Sequence, residues 1–169
     1  ARQLIPTDVT NLDDEQICQL AQARIFADAY MVELPVCPDM LKRLADAMKV
    51  NNKLSKCSTR VSKCLNNIGF KHECEVPPSS DFWGGFMAID LACKDRKAAI
   101  EFDGPSHFLK AIDSGKLTTQ RNGTTQAKRR LLKLLGWSVI SLDYREFTKA
   151  RGNELGYLRS EFLREGVEL

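Results

Sequence analysis

Apolar residues change their spacing along this chain, and the changes outline its elements. Ile17, Leu20, Ala21, Arg24, Ile25 and Ala29 recur at helical steps and trace a largely apolar face. They predict a helix over 13–32, with Asn11 as N-cap, acids in the first turn, and Pro35 and Pro38 beyond its end. A second short helix is predicted over 39–48, through Met40, Leu41, Leu44 and Met48. Val50, Leu54, Cys57, Val61, Cys64, Leu65 and Ile68 then form a core-facing stripe on a third helix, stopped by Gly69. Beyond it the period falls to two. Strands are predicted over 70–76, 85–93 and 97–103, the last two joined as an antiparallel hairpin.

Pro105 and the stretch 115–123 mark a loop. A helix over 124–135 turns Ala127, Leu131, Leu134 and Leu135 inward and stops at Gly136. A strand follows over 137–142, with Trp137 in the core, and a last helix over 153–163. From residue 50 the order is α-β-β-β-α-β. It describes an α/β sandwich with a mixed sheet and a helix for each face. The predicted organisation is an N-terminal helical segment, 1–49, and a domain over 50–169, with its core in 50–143 and a C-terminal helix.

Composition narrows the class. With 43% hydrophobic and 28% charged residues in 169, the chain has enough apolar surface to fold, which excludes disorder along its length. No run approaches the ~18 apolar residues of a membrane span, so no membrane partner is expected. The start at Ala1 reads as a processed or trimmed terminus. Six cysteines are scattered without a CxxC, and only His72 and His107 are present to help. That spacing does not suggest a zinc site and fits a reducing compartment.

The net charge of +3 is unevenly spread: the first fifty residues are acidic overall and the remainder basic. The basic part suits a polyanion. Lys49, Lys53, Lys56, Arg60 and Lys63 form a ridge beside the apolar stripe of the third helix, although an ordinary solvated face would look the same. A second set, Arg121, Lys128, Arg129, Arg130 and Lys133, surrounds the helix over 124–135, whose N-terminal turn could hold a phosphate. His107, Phe108 and Trp83 are candidates to stack on an unpaired base; core or lid packing is the alternative for both Phe108 and Trp83.

Three carboxylates stand out. Asp90 interrupts an apolar strand, and Glu101 and Asp103 sit in the next. An even-length connection over 94–97 places Asp90 across from Glu101, with Asp103 on the same face. Opposed like charges destabilise a sheet by a few tenths to ~1 kcal/mol unless a cation or proton relieves them. The conflict calls for a divalent metal or a basic group; the alternative is an exposed acidic sheet edge paired with Lys97 or Lys128.

Asp90, the run Ala99-Ile100-Glu101-Phe102-Asp103-Gly104-Pro105-Ser106-His107-Phe108, then Thr124, Lys128-Arg129-Arg130-Leu131-Leu132, Leu135-Gly136-Trp137-Ser138-Val139-Ile140 and Tyr144-Arg145-Glu146-Phe147 together resemble the RAP domain. This is an RNA-binding domain named for its abundance in apicomplexans, and the resemblance covers roughly residues 86–150. It implies a role in organellar RNA metabolism or ribosome assembly. The implied location is the mitochondrion, or alternatively the plastid; the implied partners are RNA, ribosomal RNA above all, and ribosomal or other RNA-associated proteins. RAP domains in turn resemble the PD-(D/E)XK nuclease fold of very-short-patch repair endonucleases. By that resemblance Asp90 and Glu101 take the two acidic metal positions for Mg²⁺ or Mn²⁺. Asp103 stands where the nuclease lysine belongs, Lys128 is a migrated cation, and His107 is a ligand or an acid/base. The expectation is a non-catalytic RNA-binding module needing no cofactor, with contacts from Lys53, Lys56, Arg60, Lys63, His107, Arg121, Lys128, Arg129, Arg130 and Lys133. A metal-dependent endoribonuclease and a ribosomal scaffold with mainly protein contacts are the alternatives.

Overall fold

The computed structural model describes residues 55–78 and 88–169, together with isolated positions between 13 and 32. The helix expected over 39–48, Lys49, Val50, Lys53, Leu54, Trp83 and the start of the strand expected over 85–93 lie outside the described residues. The chain divides into two compact units, residues 1–52 with 77–87, and residues 53–76 with 88–169.

In the first unit Gln16, Leu20, Ala23, Arg24, Phe26 and Ala27 are helical. The helix start is fixed by a reciprocal pair. The Asp13 N–H donates to Gln16 Oε1 at 3.1 Å, and the Gln16 N–H donates to Asp13 Oδ1 at 2.8 Å. Asp13, rather than the expected Asn11, therefore caps this helix, because it has a partner three residues on. The helix also stops short of Val32: Tyr30 and Met31 form a turn, and Met31 takes a left-handed φ of 55°.

The second unit begins with α1 (Lys56–Asn67), whose N-cap Ser55 accepts the Ser58 N–H at 3.0 Å. Strands β1 (Glu73–Val76), β2 (Ile89–Cys93) and β3 (Ala98–Asp103) follow. A single 3-10 turn over Pro105–His107 leads into β4 (Phe108–Lys110), β5 (Leu117–Arg121) and α2 (Gly123–Leu134). Strand β6 (Ser138–Asp143), α3 (Tyr144–Lys149) and α4 (Glu154–Arg164) complete the chain. The main sheet has the order β1-β2-β3-β6; β1 and β3 run antiparallel to β2, and β6 runs parallel to β3. The mixed α/β architecture is as expected.

Alternation along β3 splits the interior in two. Ala98 and Ile100 join Leu91, Ile140 and Leu142 under α1, α3 and α4, where Val61, Leu65, Phe147, Leu158 and Phe162 complete one core. Ala99 points the other way, packing with Ala92, Val139, Trp137 and Leu132 of α2. α1 and α2 thus cover opposite faces of the sheet.

Four expectations are corrected. Leu117–Arg121 is not loop: it pairs with Phe108–Lys110 in a small separate hairpin, closed by the Ala111 N–H bonding Lys116 O at 2.8 Å. Leu134 is exposed and Leu132 takes its core position, because the inward stripe of α2 runs through Leu131, Leu132 and Leu135. Cys57 is exposed at the first turn of α1, where Ser58 is the buried residue. The helix α3 was not expected; Asp143 starts it by accepting the Arg145 N–H at 2.8 Å.

Candidate nucleic-acid interface

Residues on the α2 side of the sheet form the charged centre of the molecule. The β2–β3 register runs through Leu91↔Ile100, Ala92↔Ala99 and Cys93↔Ala98, which is the pairing expected from the even-length connection. Past Leu91 a side chain takes over from the backbone: Asp90 Oδ2 accepts the Phe102 N–H at 2.9 Å. Lys128 reaches over from α2 and ties both strands, donating to Ala88 O at 2.7 Å and to Glu101 Oε2 at 2.6 Å.

Glu101 lies in an interior strand, not on an exposed acidic edge, and is 5% exposed. Burial pushes its carboxyl up to about 7 in spite of the Lys128 charge, and Asp90 nearby adds to the rise. Its other oxygen, Oε1, is buried without a hydrogen-bond partner among the described residues. One residue pair further, buried Asp103 binds Arg121 Nε through Oδ2 at 2.5 Å, while its Oδ1 lies 3.4 Å from His107 Nδ1. Burial alone would raise the Asp103 carboxyl, but His107 and Arg121 outweigh it and hold it below its ordinary value. The hydrogen bond to Asp103 raises His107 in return. Thr125 Oγ1 also lies 3.2 Å from His107 Nδ1, and Asn122 caps α2 beneath it by accepting the Thr125 N–H at 2.9 Å.

The parallel β3–β6 register sets Asp103 beside Asp143. Each acid has its own guanidinium. Asp143 receives Arg145 in a forked pair, Nη2 to Oδ2 at 2.6 Å and Nε to Oδ1 at 3.0 Å. Arg145 also donates from Nη1 to Thr118 O at 2.9 Å, tying α3 to the hairpin. Buried Phe108 anchors the hairpin base, with Arg145 4.2 Å and Arg121 5.6 Å from its ring centre. Phe108 is therefore a packing residue, as its alternative reading held, whereas His107 stays half-exposed.

The expected cations fall into two places. Arg121 and Lys128 hold the acids; Arg129 is half-buried, its guanidinium made less basic by burial and by the Arg121 charge. Arg130 is exposed, and Lys133 donates to Glu165 Oε2 at 3.1 Å. On the other face of the sheet Lys56 and Lys63 are exposed, while Arg60 pairs with Glu154 and lies 5.4 Å from the Phe147 ring centre. The two basic sets do not form one surface. Sequence reasoning missed Glu75. It sits in β1 at φ 51°, and burial and the Asp90 charge raise its carboxyl. Only the pairing of β1 with β2, invisible in the sequence pattern, reveals it.

The donor set does not fit a divalent cation as arranged. Among the described residues no three His, Cys, Asp or Glu side chains converge on one point. The Lys128 ammonium already supplies the neutralising charge at Glu101, and Asp90 is engaged by backbone. What remains is an internally neutralised acidic centre beneath a cationic rim formed by Arg129 and Arg130 of α2 and by the hairpin base.

The fold is a mixed sheet covered by helices on both faces, with its polar centre between β3 and α2. Residues 100–160, from β3 into α4, match the model of the RAP domain. The chain is also 36% identical over 73 residues to a "RAP domain-containing protein, chloroplastic" of Oryza sativa subsp. japonica. That alignment covers 42% of this chain and 10% of the rice protein, so the chain spans about a tenth of that relative's length. Among the described residues no helix is long and apolar enough to cross a membrane.

Proposed function

We propose that this chain binds RNA without cleaving it, through the face made by α2 and the base of the β4–β5 hairpin, within an organelle. The observation that carries the reading is the pairing of every buried acid in the RAP-matched segment's centre with a basic group of that segment. The acids are neutralised from within, and Arg129, Arg130 and half-exposed His107 remain at the rim. Phosphates would meet the guanidinium groups, and His107 would meet a ribose or base. The plastid label of the rice relative supports the plastid over the mitochondrion, and an organellar ribosomal RNA, with ribosomal proteins alongside, is the partner the family resemblance suggests. Lys56 and Lys63 on α1 would serve a second strand or a partner, since they lie on the far face.

Charge reversal tests this. Arg129→Glu with Arg130→Glu should weaken binding of a single-stranded RNA by roughly ten- to a hundredfold and flatten its salt dependence by about two charges. Fluorescence anisotropy titrations at several salt concentrations measure both. Unchanged affinity would overturn the assignment of this face and favour the scaffold reading. The same RNA incubated with Mg²⁺ or Mn²⁺ should stay intact; cleavage that Glu101→Gln abolishes would replace the binding reading with the nuclease one.

A further inference from the structure

The β4–β5 hairpin has a tip that its anchoring does not explain. Its base is held by Phe108 between two guanidinium groups, by Arg145 on Thr118 O, and by the Asn122 N–H on His107 O at 2.8 Å. Beyond Phe108 the hairpin packs on little. Ile112 is fully exposed and Leu109 is 41% exposed. The turn that presents them is tight, not slack: the Gly115 N–H bonds Ala111 O at 2.8 Å, and the Ser114 N–H bonds Asp113 Oδ1 at 2.9 Å. Lys110 and Lys116 are polar neighbours of this apolar point, and Thr119 and Gln120 are exposed on β5. Across 108–121 Asp113 is the lone acid against Lys110, Lys116 and Arg121.

We propose that the hairpin tip is a second RNA contact, in which Ile112 presses on the face of an unpaired base while Lys110 and Lys116 hold the flanking phosphates. The inference rests on the RNA-binding reading above and adds to it a preference for unpaired over duplex RNA. Charge selects the occupant. A net-basic finger carrying one apolar point suits a polyanion whose bases expose apolar faces, and isoleucine is among the side chains that pack against base faces where the stack is opened. The finger also continues the proposed surface, since its base is formed by His107, Arg121 and Asn122.

The full chain, a 20-nucleotide single strand and a duplex of the same sequence test the proposal by fluorescence anisotropy. The wild-type chain should favour the single strand. Ile112→Ser, at a fully exposed position, should keep the wild-type melting temperature, lose roughly three- to tenfold in single-strand affinity and leave duplex affinity unchanged. Lys110→Ala with Lys116→Ala should weaken both RNAs alike. An unchanged strand preference in Ile112→Ser overturns the hairpin proposal and leaves the α2 surface standing. Self-association of the chain that Ile112→Ser abolishes, with RNA binding untouched, also overturns it and makes the tip a contact between copies. No binding of either RNA by the wild-type chain defeats the RNA reading itself, and this proposal with it.

Discussion

Arg121→Ala should cost about 3 kcal/mol of folding stability at neutral pH, the usual result of leaving one member of a buried ion pair alone. Asp103 is 1% exposed, is held by Arg121 and by His107 when protonated, and also feels the Arg129 charge. With the guanidinium gone, the carboxylate depends on the imidazole. His107 is raised from its ordinary value by Asp103, so this compensation is present at pH 6 and is lost as pH rises through that raised value. The loss should therefore be larger at pH 8 than at pH 6. It should shrink again under strongly acidic conditions, where Asp103 is protonated in folded and unfolded chains alike. Denaturant unfolding of both proteins across pH measures the difference. Replacing both partners, Asp103→Leu with Arg121→Met, should recover most of the loss, because the unpaired charge is then absent. A loss that ignores pH would contradict the shared neutralisation of Asp103 by His107.

Glu101→Gln should act in the opposite sense and gain stability above pH 7. The folded chain holds a proton on Glu101 up to about 7, whereas an ordinary glutamate releases it near 4.5. A carboxyl raised on folding contributes most at low pH. Its contribution falls as pH climbs from 4.5 to about 7 and is constant above, a total of about 3 kcal/mol. His107, also raised, loses its contribution as pH rises through its folded value, above 6.5. It is present in both proteins, so their difference isolates Glu101. The amide oxygen at position 101 can still accept from Lys128, which keeps its bond to Ala88 O. Midpoints of urea unfolding between pH 4.5 and 8 should decline more steeply through the lower window for the wild-type chain than for Glu101→Gln, which keeps only the decline from the raised Glu75 carboxyl. Parallel curves would mean that Glu101 is ionised throughout.

Much of this centre was legible from spacing. Period-two alternation and the length of one connection were enough to bring Asp90, Glu101 and Asp103 to one region. The demand for a cation followed from like charges in a strand, and Lys128 met it. Burial was not legible. An acid in a strand reads as an edge residue unless one knows that β6, some forty positions later, closes the other side. The hairpin was hidden because its strands are short and polar, Leu-Thr-Thr-Gln-Arg giving no alternating apolar signal against Phe-Leu-Lys. Glu75 was hidden for a related reason: its place beside Asp90 depends on a strand pairing, not on a local pattern. The two basic sets illustrate the converse. Each was visible as a helical ridge, but the side of the sheet each helix covers is decided by alternation along β3, which turns Ile100 toward α1 and Ala99 toward α2.

The central position of β3 has a practical corollary for anyone excising this module. The matched stretch starts at Ile100, inside that strand. A fragment cut there would discard β1, β2 and α1, leaving a raw edge of unpaired amides and carbonyls next to the bared side chains of Ile140 and Leu142. Such an edge recruits other chains, and the product would be expected to precipitate or form cross-strand aggregates. A soluble fragment should begin ahead of α1, at or before Ser55, so that the ladder is closed on both sides.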